Sequence, residues 1–467
     1  MNKPIVRTLI LITMVALLLM LFAAGCSTNG TSPTTTKPGA TTAKTEEPAG
    51  LIGQNVKFNP NEKVSGKLSV WFYEDGKRFI DSMFEDYKQY RPDVDLEVTY
   101  IAWGDYWTKL PVALSSGTGP DLFYFHNMYD NLMVGGGQLD AYPQDLVDNL
   151  AKDYMNVAQF DQNGKTYYIG VGGGHGVIYY NKDMWSAAGL TEADFPETWE
   201  ELREIAIKLT KKEADKIVVS GFNINPGLGG AFMGEIQLLS GRFIYSADGK
   251  QVMYDNPDFK KNFMFFVDLY QKDNVCSATF PDSLQSFQDG TTAMLWMHPF
   301  FSGILRSNHP EINFGVFAMP KFEGMARNWH YNNPDVSMGI NAKASKDAKA
   351  LAVDLLKLFF ADDKYMKAWD LAQGLAPTKN SLQGDQDMMN DPILKVIMSD
   401  YENSVYEGTG PNQLTQDMIQ NLADPVLTGG VDYDTAIKAA VAKMNQTLAD
   451  FDFIPVERKW SHANELK

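Results

Sequence analysis

Leu68-Ser69-Val70-Trp71-Phe72 is an apolar run of strand length, and the residues after it decide the fold. Between Arg78 and Tyr90 the spacing becomes helical, with Phe79, Met83, Phe84 and Tyr87 on one side. Arg91-Pro92-Asp93 stops that helix, and Val94 to Ile101 alternates as a strand does. A second helix, from about Asp105 to Leu114, ends in Gly117-Thr118-Gly119-Pro120 and leads into the strand Asp121 to Phe125. This β-α-β-α-β order predicts an α/β fold with a mainly parallel sheet, because a chain that returns over a helix lays its strands in one direction.

Towards the C-terminus the pattern restarts. Gly176 to Tyr180 and Lys216 to Phe222 read as strands. Thr198-Trp199-Glu200-Glu201 has the capping-box spacing that opens a helix, here reaching Lys211. Pro257 suits the first turn of another, running to about Lys272. Beyond Pro334-Asp335 helices dominate: Asp347 to Phe360, Asp363 to Leu371, Pro392 to Tyr401 and Asp434 to Phe451. No internal repeat is visible.

Towards the N-terminus, Lys3 and Arg7 precede an apolar stretch from Leu9 to Phe22, interrupted by Thr13. Leu21-Phe22-Ala23-Ala24-Gly25-Cys26 closes it. A charged start, a short apolar segment and small residues at its end are the layout of an export signal. The stretch falls short of the roughly 20 apolar residues that span a bilayer. Cys26 directly after Ala-Ala-Gly resembles a bacterial lipobox, which implies loss of residues 1–25 and acylation of Cys26. A secretory signal that happens to contain a Cys, or a short uncleaved anchor, is the alternative. Residues 26–63, rich in Thr, Pro, Gly, Ser and Lys, are expected to form a disordered tether with a mean reach of about 35 Å. The expected location is outside the cell, lipid-anchored to the outer face of the bacterial membrane.

Of the 467 residues, roughly 400 follow the tether, enough for two lobes rather than one core. The whole chain has 41 basic and 58 acidic residues, and a leader carrying Lys3 and Arg7 leaves 39 against 58, net −19. A field of that sign opposes nucleic acid and anionic lipid but not a neutral sugar or a cation. With Cys26 acylated, Cys276 has no disulfide partner, and it reads as a small buried hydrophobe.

Six local signatures stand in order along the chain. They are Arg91-Pro92-Asp93-Val94 closing the first strand-helix unit, and Ser115-Ser116-Gly117-Thr118-Gly119-Pro120-Asp121-Leu122. Next come Gly176-Val177-Ile178-Tyr179-Tyr180-Asn181-Lys182, then Ala188-Gly189-Leu190 followed by Phe195-Pro196-Glu197-Thr198-Trp199-Glu200-Glu201-Leu202. Phe287-Gln288-Asp289-Gly290-Thr291-Thr292-Ala293-Met294 and Gly374-Leu375-Ala376-Pro377-Thr378-Lys379 complete the set. From about Lys67 to Leu448 the chain resembles the extracellular solute-binding proteins of family 1, the maltose-binding-protein-like sugar receptors of ABC importers. It departs from the family pattern at Trp185 and Ala187 and in the cluster Gly172-Gly173-Gly174.

The resemblance implies a two-lobed, type II periplasmic-binding-protein-like α/β clamp with hinge crossings and a helix-rich C-terminal part. Lobe one would comprise residues 64–170 with 291–335, and lobe two 171–290 with 336–467. Crossings are expected near Gly170 to Val177, near Thr291 and near Val336 to Ile340. Ligand would bind between the lobes and favour closure, the shape an ABC permease recognises. By family position Phe300 would stack on a sugar with His298 beside it. Tyr73, Glu74, Trp103, Asp105, Phe125, His126, Asn127, His175 and Phe232 would complete the cleft, most of them beyond the carboxyl ends of strands.

The same residues have plainer readings. Trp296 suits the core, Phe300 and Phe232 suit cleft and core equally, and Trp103 beside Gly104 favours the cleft. His126, His175 and His298 show no close spacing such as His-x-x-x-His, so no metal and no cofactor is expected. Gly172 to Gly174 lacks the Lys-Ser/Thr of a phosphate loop and reads as a flexible hinge. The expected ligand is a sugar or oligosaccharide and the expected state a monomer without enzymatic activity. A polyamine or cation receptor is the runner-up, and an exported glycosidase with paired carboxylates is a third class.

Overall fold

The computed structural model describes residues 50–224, 230–451, 453, 455, 456, 458 and 462–467. The expected leader, Cys26 and the tether up to residue 49 lie outside the described residues. No helix among the described residues is long and apolar enough to cross a membrane.

The first sheet has five strands, in the order Val94–Ile101, Gly66–Tyr73, Leu122–Phe123, Gly339–Asn341 and Leu139–Asp140. The first three run parallel, with Gly66 opposite Val94 and Val70 opposite Leu122. Gly339–Asn341 runs antiparallel to both of its neighbours, so the sheet is mixed rather than wholly parallel. Leu68, Val70 and Phe72 turn the same way and are buried, as the period of two requires. Helix Lys77–Tyr90 covers that face with Phe79, Ile80, Met83, Phe84 and Tyr87. Helix Trp103–Ser116 ends at Gly117, whose φ of 79° is the left-handed conformation that glycine adopts without strain.

Residues 50–63 correct the expected tether boundary, because they are folded against this first core. Ile52 and Phe58 pair as an antiparallel bridge, and Val56 and Phe58 are buried. Asp153 accepts from the backbone N–H of Asn55 and Val56. The Arg91 guanidinium lies over the Phe58 ring at 4.4 Å and donates to the Asn59 carbonyl. Two buried apolar side chains and these polar contacts offset the ordering entropy that the composition alone left uncompensated.

The second set of strands is antiparallel throughout, with Val177–Asn181 between Phe314–Phe317 and Met294–Met297. Its central strand feeds two cores. Ile178 and Tyr180 enter the second core, while Val177 and Tyr179 enter a smaller third one with Phe301, Leu305 and Ile397. The Thr198 capping box and the start at Pro257 form as the sequence predicts. Cys276 is buried in the second core.

Gly170–Gly173 joins the first core to the second and is the middle strand of a small sheet, between Asp335–Val336 and Ala376–Pro377. Its glycines answer to packing, not flexibility. A Cβ on Gly173 would lie 1.9 Å from the Tyr401 hydroxyl, and one on Gly176 would lie 2.1 Å from the Trp296 indole nitrogen. The later crossings differ from expectation. Residues Ala293 to Trp329 divide between the second core and the small third one, and the chain returns to the first only by Val336. Val336 to Leu394 then pack mostly with the first core, with Ala376 and Ile393 in the third, and Val405 onward mostly with the second. The expected division, 291–335 with the first lobe and 336–467 with the second, is not the one the apolar clusters make.

Candidate ligand-binding cleft

A pocket of about 310 Å³ opens where strand ends of the first sheet face the segment after Met294–Met297. Tyr73 is the last residue of its strand, Tyr124 follows Leu122–Phe123, and Trp103 opens the next helix. Their rings meet at angles, Tyr73 with Tyr124 at 4.5 Å between centroids and Tyr73 with Trp103 at 5.3 Å. Trp103 remains 41% exposed, unusual for so large an apolar surface and consistent with a wall of the pocket. Gln373 donates to the Tyr73 hydroxyl at 3.1 Å, and Arg78 donates to Gln373 at 2.9 Å. Asp335 accepts from the Tyr124 hydroxyl at 3.2 Å and from the Trp369 indole at 2.7 Å. Burial pushes the Asp335 carboxyl above the usual carboxylate range despite these donors.

His298, Pro299 and Phe300 form the opposite wall. The Tyr179 hydroxyl lies 3.2 Å from the His298 carbonyl and 3.0 Å from that of Pro299, which holds the segment in place. His298 is 7% exposed, yet neither ring nitrogen has a hydrogen-bond partner among the described residues. Burial, with the neighbouring His175 and His126, holds its imidazole down to about 4, so the ring is neutral and offers one donor and one acceptor.

A second pocket of about 250 Å³ adjoins the first and shares His126 and Asn333 with it. Asn127 and Met128 approach it from the first core's chain, and Met233, Tyr245 and Tyr254 from the second core. Five expected residues thus line the first pocket: Tyr73, Trp103, His126, His298 and Phe300. His126 and Asn127 line the second.

Five others fall elsewhere. Glu74 is exposed in a turn, and its neighbour Asp75 reaches the pocket instead. Asp105 is paired with Lys109 at 2.8 Å on the outer face of its helix. Phe125 is fully buried against Tyr168, 4.7 Å between centroids. Phe232 is 2% exposed and packs on Phe266 and Trp296 at 4.9 Å each, so it is a core residue. His175 is buried beside the crossing strand, 3.0 Å from Asp400. Sequence reasoning missed Tyr124, Asp335, Asn333 and Gln373. The last three flank Pro334 and the Gly374-Leu375-Ala376-Pro377 signature, and that adjacency is the signal that would have found them.

His175, His330 and Asp400 bring ligand atoms within 4.8 Å of one another. The two imidazoles are parallel and 4.0 Å apart. A ring nitrogen's lone pair lies in its ring plane, so the pair does not converge on one ion at metal-ligand distance. The arrangement suits hydrogen bonding to Asp400 instead.

Residues 73–366 match the sequence profile of the bacterial extracellular solute-binding proteins. The chain belongs to that family. Its members are exported binding proteins rather than enzymes. A maltotriose-binding protein of Pyrococcus abyssi is 22% identical over 335 residues, 71% of this chain and 70% of its own length. A putative binding protein of Brucella abortus is 21% identical over 419 residues, 83% of this chain and 92% of its own. Among solved structures, the maltose/maltodextrin-binding domain of Bdellovibrio bacteriovorus bound to maltotriose aligns with a TM-score of 0.71 at 19% identity, covering 82% of this chain and all of that one. An ABC transporter solute-binding protein of Thermotoga lettingae bound with α-D-tagatose aligns at 0.69 and 21%, covering 82% of this chain and all of that one. The fold is accordingly the two-domain, mixed α/β solute-binding fold.

Proposed function

We propose that this protein is the lipid-anchored substrate-binding component of an ABC importer, capturing a sugar or oligosaccharide in the cleft between the two larger cores. His298 carries the reading. A buried neutral imidazole with both nitrogens unpartnered is costly, at about 1–3 kcal/mol for each unmet group, unless a ligand supplies the missing bonds. A sugar hydroxyl both donates and accepts, and so matches it. The rings of Tyr73, Trp103 and Phe300 supply apolar faces for sugar C–H surfaces, the usual composition of an oriented, moderately polar pocket. Maltotriose and tagatose in the structural relatives support the same ligand class.

Walls drawn from different cores mean that ligand gains its full contacts only when both approach, so binding favours closure. Delivery to a permease and anchoring through Cys26 complete the proposal. The polyamine alternative draws on Asp75 and Asp335, but Arg78 shares their pocket and opposes a multiply charged cation. A thermal-shift screen of the purified protein tests the reading. A sugar at about 100 times its dissociation constant adds about 2.7 kcal/mol. Stabilisation by spermidine and by no saccharide would replace the sugar with a cation.

A further inference from the structure

We propose that Arg458 and Glu407, which line neither pocket, are positioning residues for ligand: from behind they fix one wall of the second pocket, and so decide how well a further, uncharged saccharide ring binds beyond the first pocket. This deepens the sugar reading and rests on it for the ligand, but not for the support of the wall.

The second pocket continues the first through His126 and Asn333, so a ligand that fills the first can extend into it. Among its described lining residues none is an Asp, Glu, Lys or Arg. Its polar side chains include Asn333, Asn412, Tyr254, Tyr331 and Thr415. Neutral groups of this kind both donate and accept, which suits the hydroxyls of an uncharged ring and offers nothing to balance an ion.

One side of this pocket comes from two separate segments, Ile244 with Tyr245 and the loop Thr409-Gly410-Pro411-Asn412. Both lie outside the regular elements, so their backbone groups need partners from elsewhere. Glu407, 1% exposed, supplies one: its carboxylate accepts from the Ile244 backbone N–H at 2.7 Å and lies 3.5 Å from that of Tyr245. Arg458 joins the two segments. Its guanidinium donates to the Tyr245 carbonyl at 2.6 Å, lies 3.3 Å from the Glu407 carboxylate, and stacks over the Phe243 ring at 3.5 Å. Phe453, from the same C-terminal stretch, packs its ring on that of Tyr245 at 4.7 Å. The Tyr245 hydroxyl rests against Gly410, where a Cβ would lie 2.3 Å away. Tyr245 is thus held at its carbonyl, ring and hydroxyl. A buried carboxylate that loses its cation is costly, so removing Arg458 loosens both segments at once.

Hydrogen exchange and calorimetry on the full chain test the proposal. Arg458→Met keeps an apolar stem and removes the charge, and Arg458→Lys restores the charge. Glu407→Gln combined with Arg458→Met leaves no unpaired charge, so it folds where a lone Glu407 would prevent folding, and it should behave as Arg458→Met does. Without ligand, the Ile244 and Tyr245 amides should exchange at least about tenfold faster in Arg458→Met than in wild type, with the Tyr124 amide of the first pocket unchanged. Maltotriose should bind Arg458→Met at least about tenfold more weakly than it binds wild type, maltose should lose less, and Arg458→Lys should recover both. Unchanged exchange at Ile244 and Tyr245, or unchanged maltotriose affinity, overturns the positioning role. So does an equal loss for the two sugars, or a Lys variant as weak as the Met variant. Exchange as expected in a chain that binds neither sugar would leave the support of the wall standing and remove the sugar as its ligand.

Discussion

The imidazole rings of His175 and His330 lie parallel, 4.0 Å apart and 11° from coplanar orientation, beside the first crossing strand. Their Nε2 atoms lie 3.0 and 2.7 Å from the two oxygens of Asp400. Glu235 stands 3.6 Å from the other nitrogen of His330. His175 follows the Gly170–Gly173 strand, His330 precedes the return crossing and Asp400 ends helix Pro392–Asp400. The cluster therefore ties together the segments through which the cores communicate.

Its protonation should show in stability. Burial alone would lower the His330 pKa, but Asp400 and Glu235 outweigh it and raise it to about 9. A folded value above the unfolded value of about 6.5 stabilises fully below pH 6.5, and the contribution is lost as pH rises towards 9. Urea denaturation at pH 7 and pH 9.5 should show a loss on the order of 3 kcal/mol. His330→Gln should be less stable at pH 7 and nearly flat over that range. An unchanged slope in the variant would place the titration elsewhere.

Replacing His298 with Phe should separate binding from folding. The substitution removes two unpartnered buried nitrogens, so melting should hold or rise. Sugar affinity should drop by at least about tenfold, read by calorimetry, and wild-type affinity should stay level between pH 6 and pH 8 because the ring is already neutral.

The two phenylalanines of the expected cleft should behave oppositely. Phe232→Ala should cost about 3–5 kcal/mol of stability, since the ring sits in the second core. Phe300→Ala should melt near wild type and bind sugar at least about tenfold more weakly, as an anchor in a pocket does. A comparable stability loss in both would return Phe300 to the core.

Gly176→Ala tests the packing account of the crossing glycines. A Cβ there meets the Trp296 indole, and relieving the overlap should cost about 1–3 kcal/mol. Were flexibility the reason for glycine, the variant would melt normally and differ only in closure.

Cys26→Ser should release the protein from the membrane fraction. A variant that stays membrane-bound at its normal processed size would remove the lipobox reading.

The first half of the fold was readable because its signals are local. The alternation of Leu68, Val70 and Phe72, the helical stripe from Phe79 to Tyr87 and the Thr198 cap each lie within a few turns of chain. The second sheet was not readable as antiparallel. The partners of Val177–Asn181 lie more than a hundred residues away, and period-two alternation does not state direction. Residues 50–63 were misread for a related reason: Asp153 and Arg91, which order them, are distant in sequence.

At the site, sequence by itself determined the family and the neighbourhood: strand ends rich in aromatic residues, and a His298-Pro299-Phe300 segment opposite them. Tertiary structure alone decided which side chains face the cleft. On consecutive residues of an extended chain, Tyr124 and His126 line the first pocket while Phe125 between them turns into the core. A one-residue change of face is invisible to composition, because it depends on which sheet partner and which distant helix cover each side.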